Sequence, residues 1–179
     1  MDLREKKTKR AIKNAFLQLR AKKPLERITI KELSELAEIS KGTFYLHYKD
    51  IYDLSDGLQN EVVQDILREV TQNEMLLFDM EHTARKLYAS FCAHQHLIDI
   101  LFSGDQASAL PGRIEKEIQD SIFRLKPELK SNAAFLVLLS FQIQGGFYTY
   151  AENHKQLGDE TVLNLLDEIA KSLRGFIMN

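Results

Sequence analysis

The chain of 179 residues is expected to fold as an all-helical (all-α) protein. Three observations predict this. Only three prolines and eight glycines interrupt the chain, apolar residues recur at three- and four-residue spacings along most of its length, and no segment alternates apolar and polar residues long enough to make a strand. With 44% hydrophobic and 28% charged residues, the chain has the material for a proper core. A lone cysteine, Cys92, excludes an internal disulfide and fits a reducing compartment. The first ten residues are hydrophilic and no run approaches eighteen apolar residues. Neither a signal peptide nor a membrane span is expected, and the expected location is cytoplasmic.

Charge is divided unevenly. Residues 1–50 hold 13 Lys+Arg against 7 Asp+Glu, a net of +6; residues 51–179 hold 11 against 19, a net of −8. A basic head and an acidic body point to a polyanion that meets one end of the molecule. The domains are drawn accordingly, 1-50 as the head and 51-179 as a regulatory body.

The first helix is expected over residues 4–22, with Ile12, Ala15, Phe16 and Leu19 on one face. Lys6, Lys7, Lys9, Arg10 and Lys13 crowd its start, where cations oppose the helix dipole, and contact with phosphate supplies a reason for that cost. Lys23 and Pro24 end it. Thr29 with Glu32 forms a Thr-x-x-Glu capping box that opens a second helix, whose shared face is Ile30, Leu33, Leu36 and Ala37. Ser40 is a further N-cap, so a third helix starts at Lys41, and Asp50 caps a fourth. Two short helices lie almost end to end with about four residues for the turn between them, which is the helix-turn-helix pattern.

The stretch from Lys41 to Lys49, LysGlyThrPheTyrLeuHisTyrLys, carries cations, hydroxyls and aromatic tips but few core-forming residues. Lys41, Thr43 and His47 are suited to read bases or phosphates in a major groove. Gly42 permits close approach, and the phenols of Tyr45 and Tyr48 reach phosphate oxygens. Lys49 and Thr29 would clamp phosphates on either side. Phe44 is expected to be buried against Leu33, Leu36 and Ile39, and Leu46 is open to either role.

The run AlaGluIleSerLysGlyThrPheTyrLeuHisTyrLysAsp, Ala37 to Asp50, together with Ala15 to Leu19 and Ile28 to Ile30, resembles the DNA-binding segment of the TetR/AcrR family of one-component bacterial transcriptional regulators. The resemblance covers about the first fifty residues. It implies that the same positions contact DNA, that the body holds a small-molecule pocket, and that two copies pair through a four-helix bundle. Glu38 stands where the family usually has glycine, so a non-glycine residue must take up that turn's geometry. At Tyr48 the family often has a packed phenylalanine.

From Asp50 a long helix is expected through Ile51, Leu54, Leu58, Val62, Ile66 and Val70 to about Asn73, a rod joining head to body and able to transmit a shift. Helices follow at about His82 to Ala93 and His96 to Phe102, then a loop over Ser103 to Gly112, then a helix over Arg113 to Leu125 with Ile114, Ile118, Ile122 and Leu125 in line. Ala133 to Tyr150 is the most apolar run, and a helix apolar nearly all round must be covered on all sides. Gly145 and Gly146 inside it cost about 1 kcal/mol each relative to alanine and are read as a site of close approach by another helix. The last helix, Asp159 to Ile177, aligns Val162, Leu165, Leu166, Ile169, Leu173 and Phe176. Homodimerisation is expected through residues of about 131–154 and 159–177.

Candidate lining residues for a small-molecule effector are Phe78, Tyr88, Phe91, Phe102, Phe123, Phe141, Gln142 and Tyr148, each of which also reads as core. His94 and His96 point apart on a helix and nothing completes a tetrahedral set, so no metal or other cofactor is expected. No paired nucleophile and base and no glycine-rich phosphate loop is present, so an enzyme is not expected. The expected function is that of a dimeric, sequence-specific regulator binding a palindromic operator in double-stranded DNA, a repressor released by a small molecule. The alternative is a coregulator of the same fold acting through protein–protein contact without specific DNA binding.

Overall fold

The computed structural model describes residues 3–72 and 80–173, and all its regular elements there are helical. The chain packs as two units. One gathers the residues up to Val62 with Gln95–Ala107; the other gathers Val63–His94 with the residues from Ser108 onward. The fold is all-α, as the spacing of apolar residues predicts.

In the first unit, α1 (Leu3–Arg20) buries Ile12, Ala15, Phe16 and Leu19, the stripe read from the sequence. A short 3-10 turn, Leu25–Arg27, leads to α2 (Ile30–Leu36). The Thr29 hydroxyl accepts the Glu32 amide at 3.3 Å, whereas the Glu32 carboxylate pairs with the Lys23 ammonium. Only the threonine half of the expected capping box forms, because a cation offers the carboxylate a stronger partner than a backbone amide.

The buried face of α2 differs from the expected one. Leu33 and Ala37 are buried, but Ser34 takes the third buried place and Leu36 is 45% exposed. At 100° per residue, Ser34 lies on the far side of the Leu33–Ala37 row from Leu36, and the helix has turned Leu36 outward. The helix then closes on a residue in the left-handed conformation, Glu38, with φ 54°. The Ile39 amide donates to the Ser34 carbonyl at 3.0 Å and the Glu38 amide to the Glu35 carbonyl at 3.2 Å. These two bonds are the pair that closes a helix on a left-handed residue, normally glycine.

The next helix, α3 (Lys41–Tyr45), is capped by Ser40, whose hydroxyl accepts the Thr43 amide at 3.0 Å. In turn α4 (Ile51–Thr71) is capped by Asp50, which accepts the Asp53 amide at 2.8 Å, while Asp53 accepts the Lys49 amide at 2.9 Å. Between Met80 and Leu101 one helix, α5, replaces the two expected. No glycine or proline stands between Ala93 and His96 to break it, and one ring nitrogen of His94 lies 2.8 Å from the Ser90 carbonyl one turn back. The C-terminal end of α5 is held in the first unit by two buried side chains. Gln59 donates to the Leu101 carbonyl at 2.8 Å, and the Arg20 guanidinium donates to the Ser103 carbonyl at 2.9 Å.

In the second unit the expected loop is shorter, because α6 (Ala109–Leu125) starts four residues early and takes Pro111 and Gly112 into its first turn. Proline fits there, since a first-turn amide has no partner within the helix to lose. The most apolar run becomes α7 (Ala133–Leu157), capped by Asn132, and Gly158 at φ 83° turns the chain into α8 (Asp159–Leu173). That corner is closed by the Tyr150 hydroxyl, which donates to Asp159 at 2.6 Å while its ring stacks on His154 at 4.7 Å. Arg85 of α5 grips α8 through Asp167 at 3.0 Å, Glu160 at 3.2 Å and Asn164. The expected helix ends near Asn73 and Ile177, and Phe176, lie outside the described residues.

Candidate nucleic-acid interface

The geometry of α3 separates anchors from tips. Phe44 is fully buried, and its ring lies 5.7 Å from that of Tyr45, edge to face, and 5.8 Å from that of Tyr48. Tyr45 is 57% exposed and Leu46 is 81% exposed. Lys41, Gly42 and Lys49 are exposed as well, whereas Thr43, His47 and Tyr48 are half-buried. The helix is thus held by one apolar ring, and the remaining side chains are left largely to solvent.

Each expected reader has a definite environment. The Thr43 hydroxyl lies 2.9 Å from that of Ser40, so the cap holds it at the start of α3. Tyr48 sits against Phe44, and burial, with the nearby Glu61 carboxylate second, raises its phenol above the ordinary tyrosine range. Its ring packs while its edge remains reachable. Thr29 is exposed at the head of α2. Phe44 is buried as expected, while Leu36 is 45% exposed.

The basic start of α1 is partly neutralised within the chain. Lys9 pairs with Glu5 at 3.0 Å and Lys13 with Glu61 at 2.7 Å. The Glu5 partner raises the Lys9 ammonium above its ordinary value and keeps it charged. Lys6, Lys7 and Arg10 are exposed. The sequence left two features of this surface open or unseen: the outward direction of Leu46, and the exposure of Tyr52 in the first turn of α4. Neither has a periodicity signal, because an exposed apolar residue looks like core until its helix is placed.

The expected effector-lining residues fall in both units. Phe102 is buried in the first unit. Phe141 and Tyr148 are exposed on α7, Phe123 is half-buried on α6 under the Lys130 ammonium, and Gln142 has both amide atoms buried without a hydrogen-bond partner. Tyr88 and Phe91 of α5 pack against Tyr150 and Phe147, with ring centres 4.9 and 6.2 Å apart. Phe78 lies outside the described residues. A cavity of about 390 Å³ in the second unit is lined by Asp65, Ile66, Arg68, Val70, Lys86, Ala89 and Ser90, none of them among the eight.

Two further observations bear on partners. Among the described residues, no helix is long and apolar enough to cross a membrane. On α7, Val137, Phe141 and Tyr148 stand exposed at helical spacing, as do Leu165 and Ile169 on α8. Among the described residues, a Cβ added at Gly145 or Gly146 would meet no atom within 4 Å, so none of them requires glycine at either position. Compared with known proteins, the chain matches no protein-family model and no curated protein.

Proposed function

We propose that this protein is a dimeric, sequence-specific DNA-binding transcriptional regulator that represses until a small molecule in its second unit releases it. The observation that carries the reading is the contrast at α3: Phe44 is fully buried, while Lys41 and Tyr45 on the same short helix, and Lys49 just beyond its end, are exposed. A helix anchored by one ring and otherwise turned outward, within an N-terminal segment (residues 1–50) of net charge +6, has the form of a major-groove reader. Thr43 and His47 are assigned to base edges or phosphates, Tyr45, Tyr48, Lys49 and Thr29 to phosphates, and Gly42 to close approach.

Pairing of two copies follows from the same reading. A single five-residue helix offers few contacts, and two of them on a symmetric dimer read a palindrome with half-sites about one turn apart, roughly 34–36 Å. The exposed apolar stripe of α7 and α8 supports an interface there, because a row such as Val137, Phe141 and Tyr148 costs solubility unless covered. Location in the cytoplasm belongs to the same proposal.

The experiment is electrophoretic retardation of genomic DNA fragments by the purified chain, alone and with excess random competitor. The expected result is retention of particular fragments that survives the competitor. Weak, sequence-blind retardation would instead favour the coregulator.

A further inference from the structure

We propose that Leu46 is a specificity-determining residue that contacts the 5-methyl group of a thymine in the major groove. The inference rests on the DNA-binding reading above and adds a base identity to it. Leu46, at 81%, is the most exposed large apolar side chain among the described residues. Its sequence neighbours carry polar tips rather than plain hydrocarbon: the exposed Tyr45 phenol precedes it, the half-buried His47 follows, and Lys49 lies three residues on.

The second observation is independent of the first and concerns Gly42. The Leu46 amide donates to the Gly42 carbonyl at 3.2 Å, so the two residues stand one helical turn apart. Side chains on a helix lean toward its N-terminus, so Leu46 leans along the Gly42 side of the helix. It leaves the Gly42 backbone uncovered, with only the Ser40 hydroxyl oxygen within 4 Å of where a Cβ would stand. Nothing among the described residues demands glycine at that place. Gly42 is not among the glycines with positive φ, and an added Cβ would meet only the Ser40 hydroxyl oxygen at 3.6 Å, an ordinary contact. A first-turn glycine with no internal reason is explained by an outside surface that approaches closely.

Taken together, Gly42 and Leu46 make a flat place with a branched apolar tip beside it, flanked by the exposed Lys41, Tyr45 and Lys49. On a duplex, the cations and phenol suit phosphates. The one apolar feature that the major groove displays is the thymine methyl, and apolar side chains discriminate thymine through it. Leucine supplies two methyl groups at that reach and offers no hydrogen bond that would favour another base.

The test uses the full chain and a duplex isolated from a random pool by binding to it, with each thymine replaced singly by deoxyuridine. That replacement removes the methyl group and nothing else. The wild-type chain is expected to bind about fourfold more weakly when the contacted thymine in a half-site is replaced, the loss of about one buried methyl. Leu46→Ala should bind the thymine duplex about that much more weakly and be indifferent to uracil at that position, while Leu46→Met should retain the preference. Uracil indifference of the wild type at every position, or full discrimination retained by Leu46→Ala, would overturn the assignment while leaving DNA binding intact. A pool that yields no preferred sequence would overturn the DNA-binding reading and the Leu46 assignment with it.

Discussion

Phe44 and Tyr45 are sequence neighbours whose rings meet edge to face at 5.7 Å, yet the first is fully buried and the second more than half exposed. This one step of helix divides the work of α3. Removing the Phe44 ring leaves a cavity in a small core, so Phe44→Ala should cost about 3–5 kcal/mol of stability. Tyr45→Ala should change stability by less than about 0.5 kcal/mol, as expected of a surface position, and weaken specific DNA binding by about 1–3 kcal/mol. Chemical denaturation and a gel shift on the same two variants separate the roles.

Gly42→Ala is expected to move stability and binding in opposite directions. Alanine is a better helix former by about 0.5–1 kcal/mol, and its methyl has room beside Ser40. The same methyl would stand between α3 and a closely approaching backbone. A higher melting temperature with weaker retention of DNA is the expected pair of results, and a variant that gains stability without losing binding would contradict the close approach.

At Glu38 the chain holds a non-glycine residue at φ 54°, closed by the Ile39 and Glu38 amides on α2. An L-residue there is strained by about 1–2 kcal/mol, part of which glycine gives back through its freer unfolded chain. Glu38→Gly should therefore stabilise the protein by roughly 0.5–1 kcal/mol, while Glu38→Ala, which keeps the Cβ, should not. Thermal melts of the two variants check this.

The corner between α7 and α8 gives a pH dependence with a definite sign. The hydrogen bond from Tyr150, then that from Tyr88 and the contact with His154, lower the Asp159 carboxyl below its unfolded value of 3.8. A carboxyl depressed in the folded state adds stability that is present above the unfolded value and is lost as pH falls through the folded one. The melting-temperature gap between wild type and Asp159→Asn should be full near neutral pH and shrink below about pH 4. On the alkaline side, burial first and Asp159 second push the Tyr150 phenol up to about 12. Tyr150→Phe should remove one late-titrating phenol from an absorbance titration. It should also narrow the acid-side gap.

Much of this was legible in the chain before its structure. Ser40, Thr29 and Asp50 declared three helix starts, because a side chain that caps a helix does so through its own nearest amides and needs no tertiary partner. The stripe on α1 and the burial of Phe44 were equally local. What the sequence misplaced depended on the rotation or continuity of elements. Leu36 and Ser34 exchanged places because a seven-residue helix leaves its buried arc poorly defined by apolar count. The helix over Met80–Leu101 was divided at a polar patch, His94 to His96, that proved to be a continuous turn within it, with His94 half-buried and Gln95 and His96 exposed. The expected effector-lining residues were the least legible, since aromatic residues on different helices carry no sequence mark of whether they meet; Phe102 is buried in the first unit, while in the second Phe141 is exposed and Phe123 half-buried.

The central claim is that two copies of the chain each place α3, within the basic segment of residues 1–50, in a major groove. The most direct measurement selects duplexes from a random pool with the full chain and then follows the selected duplex by analytical ultracentrifugation at rising salt. The account predicts one palindromic motif bound by two chains, with the logarithm of affinity falling linearly against the logarithm of salt concentration as phosphate contacts release counterions. An unenriched pool, or a single chain bound per duplex, would contradict it.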